Sequence, residues 1–584
     1  MTKASRIDLF LCLMTALPIV LGLPSRVVAQ PPAAGDQLED RFKRLDRNGD
    51  GKLGREEVDA IPGLKAGFDY IDANHDGGIS LEEMKAAMAW WRQRRSEKEE
   101  PPAEKSPPKR VAPRVARKPP STRPAAVDAN SPQFRGPRGD GVAYGTNLPV
   151  TWSATTNVAW TCNIPGKGWS SPVVWGDRVF VTSAIGPGSI EAPPEVRGLA
   201  ENTRGVATSD EHQYMLHCVD WSTGKLLWSR CAHKGVPPGS IHPKNTYASE
   251  TPVTDGERVY AYFGMVGVFC YDMAGRPVWS RDLGAYRMFA NWGTASSPAL
   301  EAGRLFVLCD NEQRSFLVAL DSRTGDELWR VSRDERSTWS TPIIWRNSVR
   351  TELVVMGGSF NRAYDPAKGK ELWRCASERS LGAAVGRSRA GNPPPRRGSP
   401  GAEGRGGSKP GSGGCKSSPV ADGDLLFAGM SSTVSDQELG PMWAIKAGAS
   451  GNISLRQGET SNTGVAWFRE DAGPHFTSVL VHGGRLYVFP AHIREPLNCF
   501  DAKTGKTIYQ VSLPGAAGFK TSPFLCDGKI FCIDEDGTCF VVDSGPDYKL
   551  LARNRIQEMT WSSPAIVGNS LYLRTVTALY CIGR

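Results

Sequence analysis

The sequence lacks the short motifs that usually announce a known chemistry. It has no Cys-x-x-Cys pair, no Gly-x-Ser-x-Gly turn and no Gly-x-x-x-x-Gly-Lys-Ser/Thr loop. A zinc–thiolate site, an α/β-hydrolase nucleophile and a phosphate-binding loop are therefore not predicted. No folded nucleic-acid-binding motif occurs either, and we expect no specific binding of nucleic acid.

The N-terminal apolar run is too short to cross a membrane comfortably as a helix. Leu9–Leu23 falls short of the about 20 residues that a bilayer requires. The run follows Lys3 and Arg6 and precedes small residues before Gln30, which is the pattern of a secretory signal peptide. We expect a signal peptide over residues 1–29 and an extracytoplasmic protein, periplasmic or secreted and not transmembrane, with an uncleaved anchor as the alternative.

Thirteen cysteines are present, and Cys12 is the only one within the expected signal peptide. Export would permit disulfides. The cysteine spacings are irregular and several cysteines fall within apparent strands, so buried thiols and disulfide bridges both stay open. No pairing is predicted.

Composition divides the remaining chain into three parts. Residues 30–97 contain short helical segments around two acidic loops, residues 98–130 are rich in Pro, Lys and Arg, and residues 131–584 are rich in strands. We expect the middle part to be a solvated basic linker, with contact to anionic surfaces as the alternative. Residues 376–414 are rich in Gly, Arg, Pro and Ser, which predicts a disordered loop or indicates a gene-model artefact.

Two twelve-residue segments match the calcium loop of an EF-hand. In each, oxygen ligands fall at positions 1, 3, 5 and 12, position 7 offers a carbonyl, and Gly at position 6 permits a sharp turn. The predicted Ca²⁺ ligands are Asp46, Asn48, Asp50, the Lys52 carbonyl and Glu57 in the first loop, and Asp72, Asn74, Asp76, the Gly78 carbonyl and Glu83 in the second.

The tandem arrangement predicts a compact, constitutively calcium-bound pair. Leu53 and Ile79 stand at position 8 of their loops and should join the two loops through a short β-bridge. Pro62-Gly63 cuts the connecting helix, which disfavours a large sensor-type opening. Acidic turns without metal are the alternative.

A Ser-Pro or Thr-Pro start followed by two apolar β runs recurs through the strand-rich part. The eight starts are Ser171, Thr251, Ser297, Thr341, Ser418, Ser522, Ser563 and, without the proline, Ser478. In most repeats an Asp, a Gly turn and a strand with an aromatic residue follow, as in Asp220, Gly224 and Trp228. The Asp can accept hydrogen bonds from the N–H groups of the turn, and Gly tolerates a positive φ.

The repeats predict an all-β eight-bladed propeller beside a small all-α EF-hand domain. Four strands per repeat and a repeat length of about 45 to 75 residues are typical of propeller blades. The last repeat ends at Ile582 without its aromatic strand, whereas an unassigned strand at 157–160 precedes the first start. If that strand completes the last blade, the ring closes and leaves no open edge.

The Ser-Pro starts and the Asp-x-x-Thr-Gly-x-x-x-Trp turns resemble those of the quinoprotein-like, or pyrroloquinoline-quinone-like, propeller family. The segments at 133–137, 166–172 and 250–252 resemble secreted bacterial members of uncharacterised role, and the EF-hand front end fits that group. The resemblance covers about residues 131–584. It implies either a quinone-dependent alcohol dehydrogenase or a non-catalytic scaffold, such as the propeller subunit of the outer-membrane barrel-assembly machine.

The scaffold is the favoured interpretation of that resemblance. Dehydrogenases of the family typically carry adjacent cysteines against the quinone, a Ca²⁺ held by Glu and Asn, and an Asp base. This chain has no adjacent cysteines, and no Glu, Asn and Asp match those positions. We therefore expect a non-catalytic scaffold for a protein or an envelope polymer; a quinone-dependent oxidoreductase is the alternative, and pyrroloquinoline quinone is a cofactor that is not favoured.

A polar segment before the second start is the predicted ligand face of the propeller. Loops at this position lie on one face of a propeller, where ligands bind. Trp292 lies in the equivalent place one blade later and could stack on a flat ligand, although ordinary packing is the alternative. The predicted face consists of His242, Lys244, Asn245, Tyr247, Glu250 and Trp292.

Overall fold

A computed structural model provides the structure of the protein. It describes residues 42–58, 68, 71–72, 76–85, 130–144, 147–187, 203–377, 415–431, 439–489, 497–556 and 558–583. The expected signal peptide, the linker up to residue 129 and the loop from residue 378 to 414 lie outside the described residues. Ala376, which the composition assigns to that loop, instead ends a strand. In the described part, no helix has the length and apolarity needed to span a bilayer.

The chain divides into two units, Met1–Pro119 and Pro120–Arg584, which are described separately. In the first, helical residues lie at 42–45, at Arg55–Val58 and at 81–85. The strands Lys52–Gly54 and Gly78–Ser80 pair antiparallel, with Leu53 opposite Ile79. The predicted β-bridge between the loops is thus confirmed. The small core of this first unit consists of Phe42, Leu53, Val58, Phe68, Ile79 and Met84.

The second unit contains eight antiparallel sheets, which confirms the predicted eight-bladed propeller. Each blade has four strands, numbered here from the innermost to the outermost. Blades 1 to 4 comprise Val173–Trp175, Arg178–Ile185, His212–Asp220 and Leu226–Gly235; Val253–Thr254, Arg258–Phe263, Gly267–Asp272 and Pro277–Arg281; Ala299–Glu301, Arg304–Cys309, Phe316–Asp321 and Glu327–Ser332; and Ile343–Arg346, Thr351–Val355, Phe360–Tyr364 and Glu371–Ala376.

Blades 5 to 8 complete the ring. They comprise Val420–Asp422, Leu425–Gly429, Gly440–Lys446 and Val465–Gly473; Leu480–His482, Arg485–Val488, Leu497–Asp501 and Thr507–Val511; Phe524–Cys526, Lys529–Ile533, Thr538–Asp543 and Leu550–Arg555; and Ala565–Val567, Ser570–Arg574, Ala578–Ile582 and Val158–Asn163. Gly451–Asn452 adds a parallel strand outside blade 4, and Val142–Ala143 adds one inside blade 7.

Blade 8 is closed by a strand from the other end of the propeller sequence. Val158–Asn163 pairs antiparallel with Ala578–Ile582 and supplies the missing fourth strand, as predicted. Buried residues form a cluster between each pair of neighbouring blades, including one between blades 8 and 1 around Tyr572, Leu579 and Val181. Burial between sheets, rather than within one sheet, therefore holds the ring together.

The repeated Gly and Trp of the turns meet across blade boundaries. The Trp279 indole in blade 2 packs on Gly325 of blade 3, and its Nε1 donates to the Ser322 carbonyl at 3.0 Å. A Cβ on Gly325 would lie 2.6 Å from the Trp279 ring. The same arrangement joins Trp160 to Gly224, Trp228 to Gly275, Trp329 to Gly369 and Trp467 to Gly505.

Several cysteines occupy one recurring position opposite that aromatic residue. On the third strand, Cys218 faces Trp228, Cys270 faces Trp279 and Cys581 faces Trp160, while Ala319 faces Trp329. A β-bulge follows this position in each blade, as between Cys270 and Tyr271. The thiols here are small buried groups that leave room for the indole. All twelve cysteines within the described residues are free thiols.

Candidate functional site

The eight starts converge on a cavity of about 210 Å³ at the centre of the propeller. Each blade contributes the hydroxyl of its start and the side chain two positions before it. Going round the ring from blade 1, the second set reads Trp169, Ser249, Ala295, Trp339, Lys416, Phe476, Lys520 and Trp561. A single register, repeated eight times, thus determines the composition of most of the cavity wall.

The start hydroxyls form a hydrogen-bonded collar. The Thr251 N–H donates to Ser297 Oγ at 3.0 Å, and the Ser297 N–H donates to Thr341 Oγ1 at 3.1 Å. The pattern continues through Ser418, Ser478, Ser522 and Ser563 at 2.8–3.0 Å. Each hydroxyl in these bonds acts as an acceptor and retains its own hydrogen. In the described part of the chain, that hydrogen has no protein acceptor.

Aromatic rings form two walls of the cavity. Trp169 and Trp561 are stacked with centroids 5.9 Å apart, and Trp292 and Trp339 lie 5.5 Å apart. Phe134 and Phe476 also line the cavity. Such surfaces bind apolar faces of ring compounds and attract cations to their π faces.

Positive charge is concentrated on the side of blades 5 to 7. Lys416 Nζ lies 4.2 Å and Lys520 Nζ 3.7 Å from the centroid of the Phe476 ring. Lys416 Nζ also lies 2.7 Å from Nε2 of His475, a buried residue that stacks on Phe476. Among the described residues that line the cavity, none is an Asp or a Glu.

Three of the six residues of the predicted ligand face line this cavity, namely His242, Asn245 and Trp292. The Asn245 Nδ2 donates to the carbonyls of Trp292 and Thr294, which holds the two loops together. Lys244 lies nearby, with its Nζ 5.9 Å from the Trp561 ring.

Tyr247 and Glu250 lie behind the cavity wall. The Tyr247 ring packs in the core between blades 1 and 2, where its hydroxyl donates to the Gly239 carbonyl. At the position of Glu250 the other seven blades have Ser or Thr. Its side chain is buried and its Oε1 has no hydrogen-bond partner in the described structure. Burial raises the pKa of Glu250 to about 7.

Sequence analysis missed most of the cavity lining, including its six large side chains at the position before the starts. Trp169, Trp339, Lys416, Phe476, Lys520 and Trp561 stand two positions before a start. The spacing was visible in the sequence. Its significance was not, because only the closed ring brings these positions from different blades together.

The first calcium loop is curled around backbone N–H groups. Asp46 accepts from Gly49 and Gly51 at 2.7 and 2.9 Å, and Asp50 accepts from Lys52 at 2.8 Å. Glu57 Oε1 accepts from the Arg47 N–H at 2.7 Å and its Oε2 from the Gly54 N–H at 2.8 Å. These bonds, the one from Gly54 foremost, lower the pKa of Glu57 and favour its carboxylate form.

The second loop is described in part, since Asn74 lies outside the described residues. Asp72 accepts from Asp76 and Gly77, and Lys52 Nζ reaches across from the first loop to Asp76 Oδ2 at 2.7 Å. Within the described residues, no three His, Cys, Asp or Glu side chains come together closely enough to hold a metal. Calcium ligation by the ten predicted residues therefore stays a prediction.

Known protein families match both units of the chain. A repeat model described as "Outer membrane protein assembly factor BamB" matches residues 212–374 and 357–576. The chain belongs to this PQQ-like repeat family. An EF-hand model matches residues 38–60 and 64–89, which include both calcium loops. No curated protein sequence matches the chain.

Three similar solved structures share little sequence with this chain. BamB from Moraxella catarrhalis is 12% identical over 73% of this chain and 99% of its own, with a TM-score of 0.44. Quinohemoprotein alcohol dehydrogenase from Comamonas testosteroni is 14% identical over 79% and 82%, with a TM-score of 0.41. A europium-containing methanol dehydrogenase is 12% identical over 77% and 91%, with a TM-score of 0.38.

The cavity does not fit the quinone and Ca²⁺ that the sequence resemblance implies for the dehydrogenase alternative. Its Trp walls and lysines suit a flat acid, but its described lining offers no carboxylate to hold a metal or accept a proton, and no thiol. The Asn245 side chain is engaged on both ends, since its Oδ1 accepts from Thr246 and Ser249. Glu250 lies outside the lining.

Proposed function

We propose that this PQQ-like propeller is a non-catalytic binding scaffold for a protein or an envelope polymer, and that the central cavity is its binding site. One observation carries the proposal: the lining combines aromatic rings, hydroxyl donors and two lysines with no carboxylate or thiol in its described part. These groups provide contact area, hydrogen bonds and charge. They provide no carboxylate base and no thiol nucleophile, and the Nδ1 of His242, the imidazole of the described lining, already accepts the Lys244 N–H.

The EF-hand pair has a structural role in this proposal. Two loops joined back to back by Leu53 and Ile79 form one core, so Ca²⁺ at the ten predicted ligands would stabilise the whole pair. The N-terminal signal pattern supports an extracytoplasmic location, where calcium is abundant. The basic linker would then lie beside anionic envelope surfaces.

The proposal is tested by combining an enzyme assay with a binding assay on residues 30–584, both in saturating calcium. We expect no dye-linked alcohol oxidation after incubation with pyrroloquinoline quinone. We expect co-sedimentation with isolated cell envelopes, which the cavity variant Lys416→Met weakens and the surface variant Lys506→Met does not. Quinone-dependent turnover, or equal sedimentation of both variants and the wild type, would overturn the proposal.

A further inference from the structure

The central cavity is asymmetric, because the eight blades contribute different side chains at one position. Blades 5, 6 and 7 contribute Lys416, Phe476 and Lys520, whereas blades 2 and 3 contribute only Ser249 and Ala295. The loops before these two starts add His242, Asn245 and Trp292, none of which carries a negative charge. A ligand is thereby directed to place its negative charge towards blades 5 to 7.

The size and the walls of the cavity limit the ligand to about one ring. Its volume of about 210 Å³ holds roughly 14 to 21 water molecules at about 10–15 Å³ each. The Trp169 and Trp561 rings are only 5.9 Å apart, and a ring inserted between two others needs about 7 Å. The pair is therefore one broad apolar wall, against which the face of a ring can lie.

The collar of start hydroxyls favours a ligand with many oxygen atoms. Ser297, Thr341 and Ser418 each accept a backbone N–H from the preceding blade, and each keeps a hydrogen to donate. A simple aromatic acid such as benzoate has only its carboxylate to accept such bonds. A sugar ring has hydroxyl and ring oxygens on its edge and an apolar C–H face for the indoles.

We propose that the cavity binds an acidic sugar, a single pyranose ring with a carboxylate or a sulfate group, at the end of an anionic polysaccharide. The anionic group contacts Lys416 and Lys520, the C–H face lies on the Trp169–Trp561 wall, and the ring oxygens accept from the collar. This inference rests on the proposed function, because it names the polymer that the scaffold binds.

Titration calorimetry with trigalacturonate, together with Trp fluorescence, tests the inference on residues 30–584. We expect one molecule bound per chain, and at least tenfold weaker binding of the methyl-esterified trimer, which has the same rings without the charge. Lys416→Met and Lys520→Met should each weaken binding by about tenfold or more, and added salt should weaken it further. Lys506→Met is the control, since Lys506 lies on an exposed turn.

A second variant fills the cavity without changing its charge. Ala295→Phe places in blade 3 the residue that blade 6 already has at the equivalent position, Phe476. We expect this variant to fold, as thermal unfolding would show, and to lose trigalacturonate binding. Unchanged binding by Ala295→Phe would place the ligand elsewhere and overturn the inference.

Further ligands in the same titration distinguish a carboxylate from a sulfate ester, and a sugar from an aromatic acid. Tighter binding of galactose 6-sulfate than of galacturonate would support the inference and identify a sulfate ester as the anionic group. Equal binding of the methyl ester, tighter binding of benzoate, or no binding of any acidic sugar would overturn it. If sugars fail while envelope sedimentation still depends on Lys416, the scaffold proposal stands and only the ligand is wrong.

Discussion

Two glycines of blade 3 share a backbone conformation but not their surroundings. Gly303 and Gly325 both have φ of 73°. A Cβ on Gly303 would meet only Ser322 Oγ at 3.9 Å, whereas on Gly325 it would lie 2.6 Å from the Trp279 ring. The pair therefore separates the energetic effect of the turn from that of the contact between blades.

We expect Gly325→Ala to destabilise the propeller more than Gly303→Ala. The backbone conformation alone should cost about 1 kcal/mol in either variant. Displacing the indole should add about 1–3 kcal/mol in Gly325→Ala. Guanidinium unfolding followed by circular dichroism measures both; equal losses would show that the Trp279 contact contributes nothing.

Glu250 should make stability depend on pH. Its folded pKa of about 7 lies above the ordinary value of 4.5, so its contribution is complete below about pH 4.5 and is lost as the pH rises through 7. We expect Glu250→Gln to gain about 3 kcal/mol relative to the wild type between pH 4.5 and 8. Unfolding free energies of both proteins across this range test this; a constant difference would contradict it.

The collar and the cavity show how far a repeat can be interpreted from sequence. The eight starts were recognisable because Ser-Pro and Thr-Pro recur. All eight of them line the central cavity. Their role in the collar was not recognisable, because each hydroxyl accepts from a residue of another blade. The Ser297 hydroxyl, for example, accepts the N–H of Thr251. Likewise, Lys416 and Lys520 are distant in sequence and meet only over Phe476.

The strand that closes blade 8 should be critical for the ring. Trp160 packs on Gly224 and donates to the Trp221 carbonyl at 3.0 Å, so it connects blade 8 to blade 1. We expect Trp160→Ala to cost about 3–5 kcal/mol. Thr161→Ala, a change at the neighbouring exposed position of the same strand, should stay within about 0.5 kcal/mol. Differential scanning calorimetry compares them, and a small effect of Trp160→Ala would show that blade 8 closes without this contact.

At the scale of the whole molecule, the two units should respond differently to calcium. We expect Ca²⁺ to raise the free energy of unfolding of the EF-hand pair. A single site should contribute about 2.7 kcal/mol when free calcium is 100 times the dissociation constant. The propeller transition should not move. Calorimetry in EGTA and in calcium tests this.

A matched pair of variants tests whether the calcium-dependent gain in stability comes from the first calcium loop. Glu57→Gln replaces the predicted ligand at position 12 and should abolish most of the shift from the first loop. Glu56→Gln changes the exposed neighbour and should leave the shift intact. A shift of the same size in both variants would remove Glu57 from the ligand set.

The sequence by itself determined the features that depend on local order. Turn residues, strand alternation and ligand spacing are set by neighbours along the chain, so the EF-hand loops, the eight blades and the closing strand could all be predicted. The tertiary structure alone decided which side chains share the central cavity and why Glu250 is buried without a partner for its Oε1. Those properties arise where distant blades meet, and no single repeat contains the information that determines them.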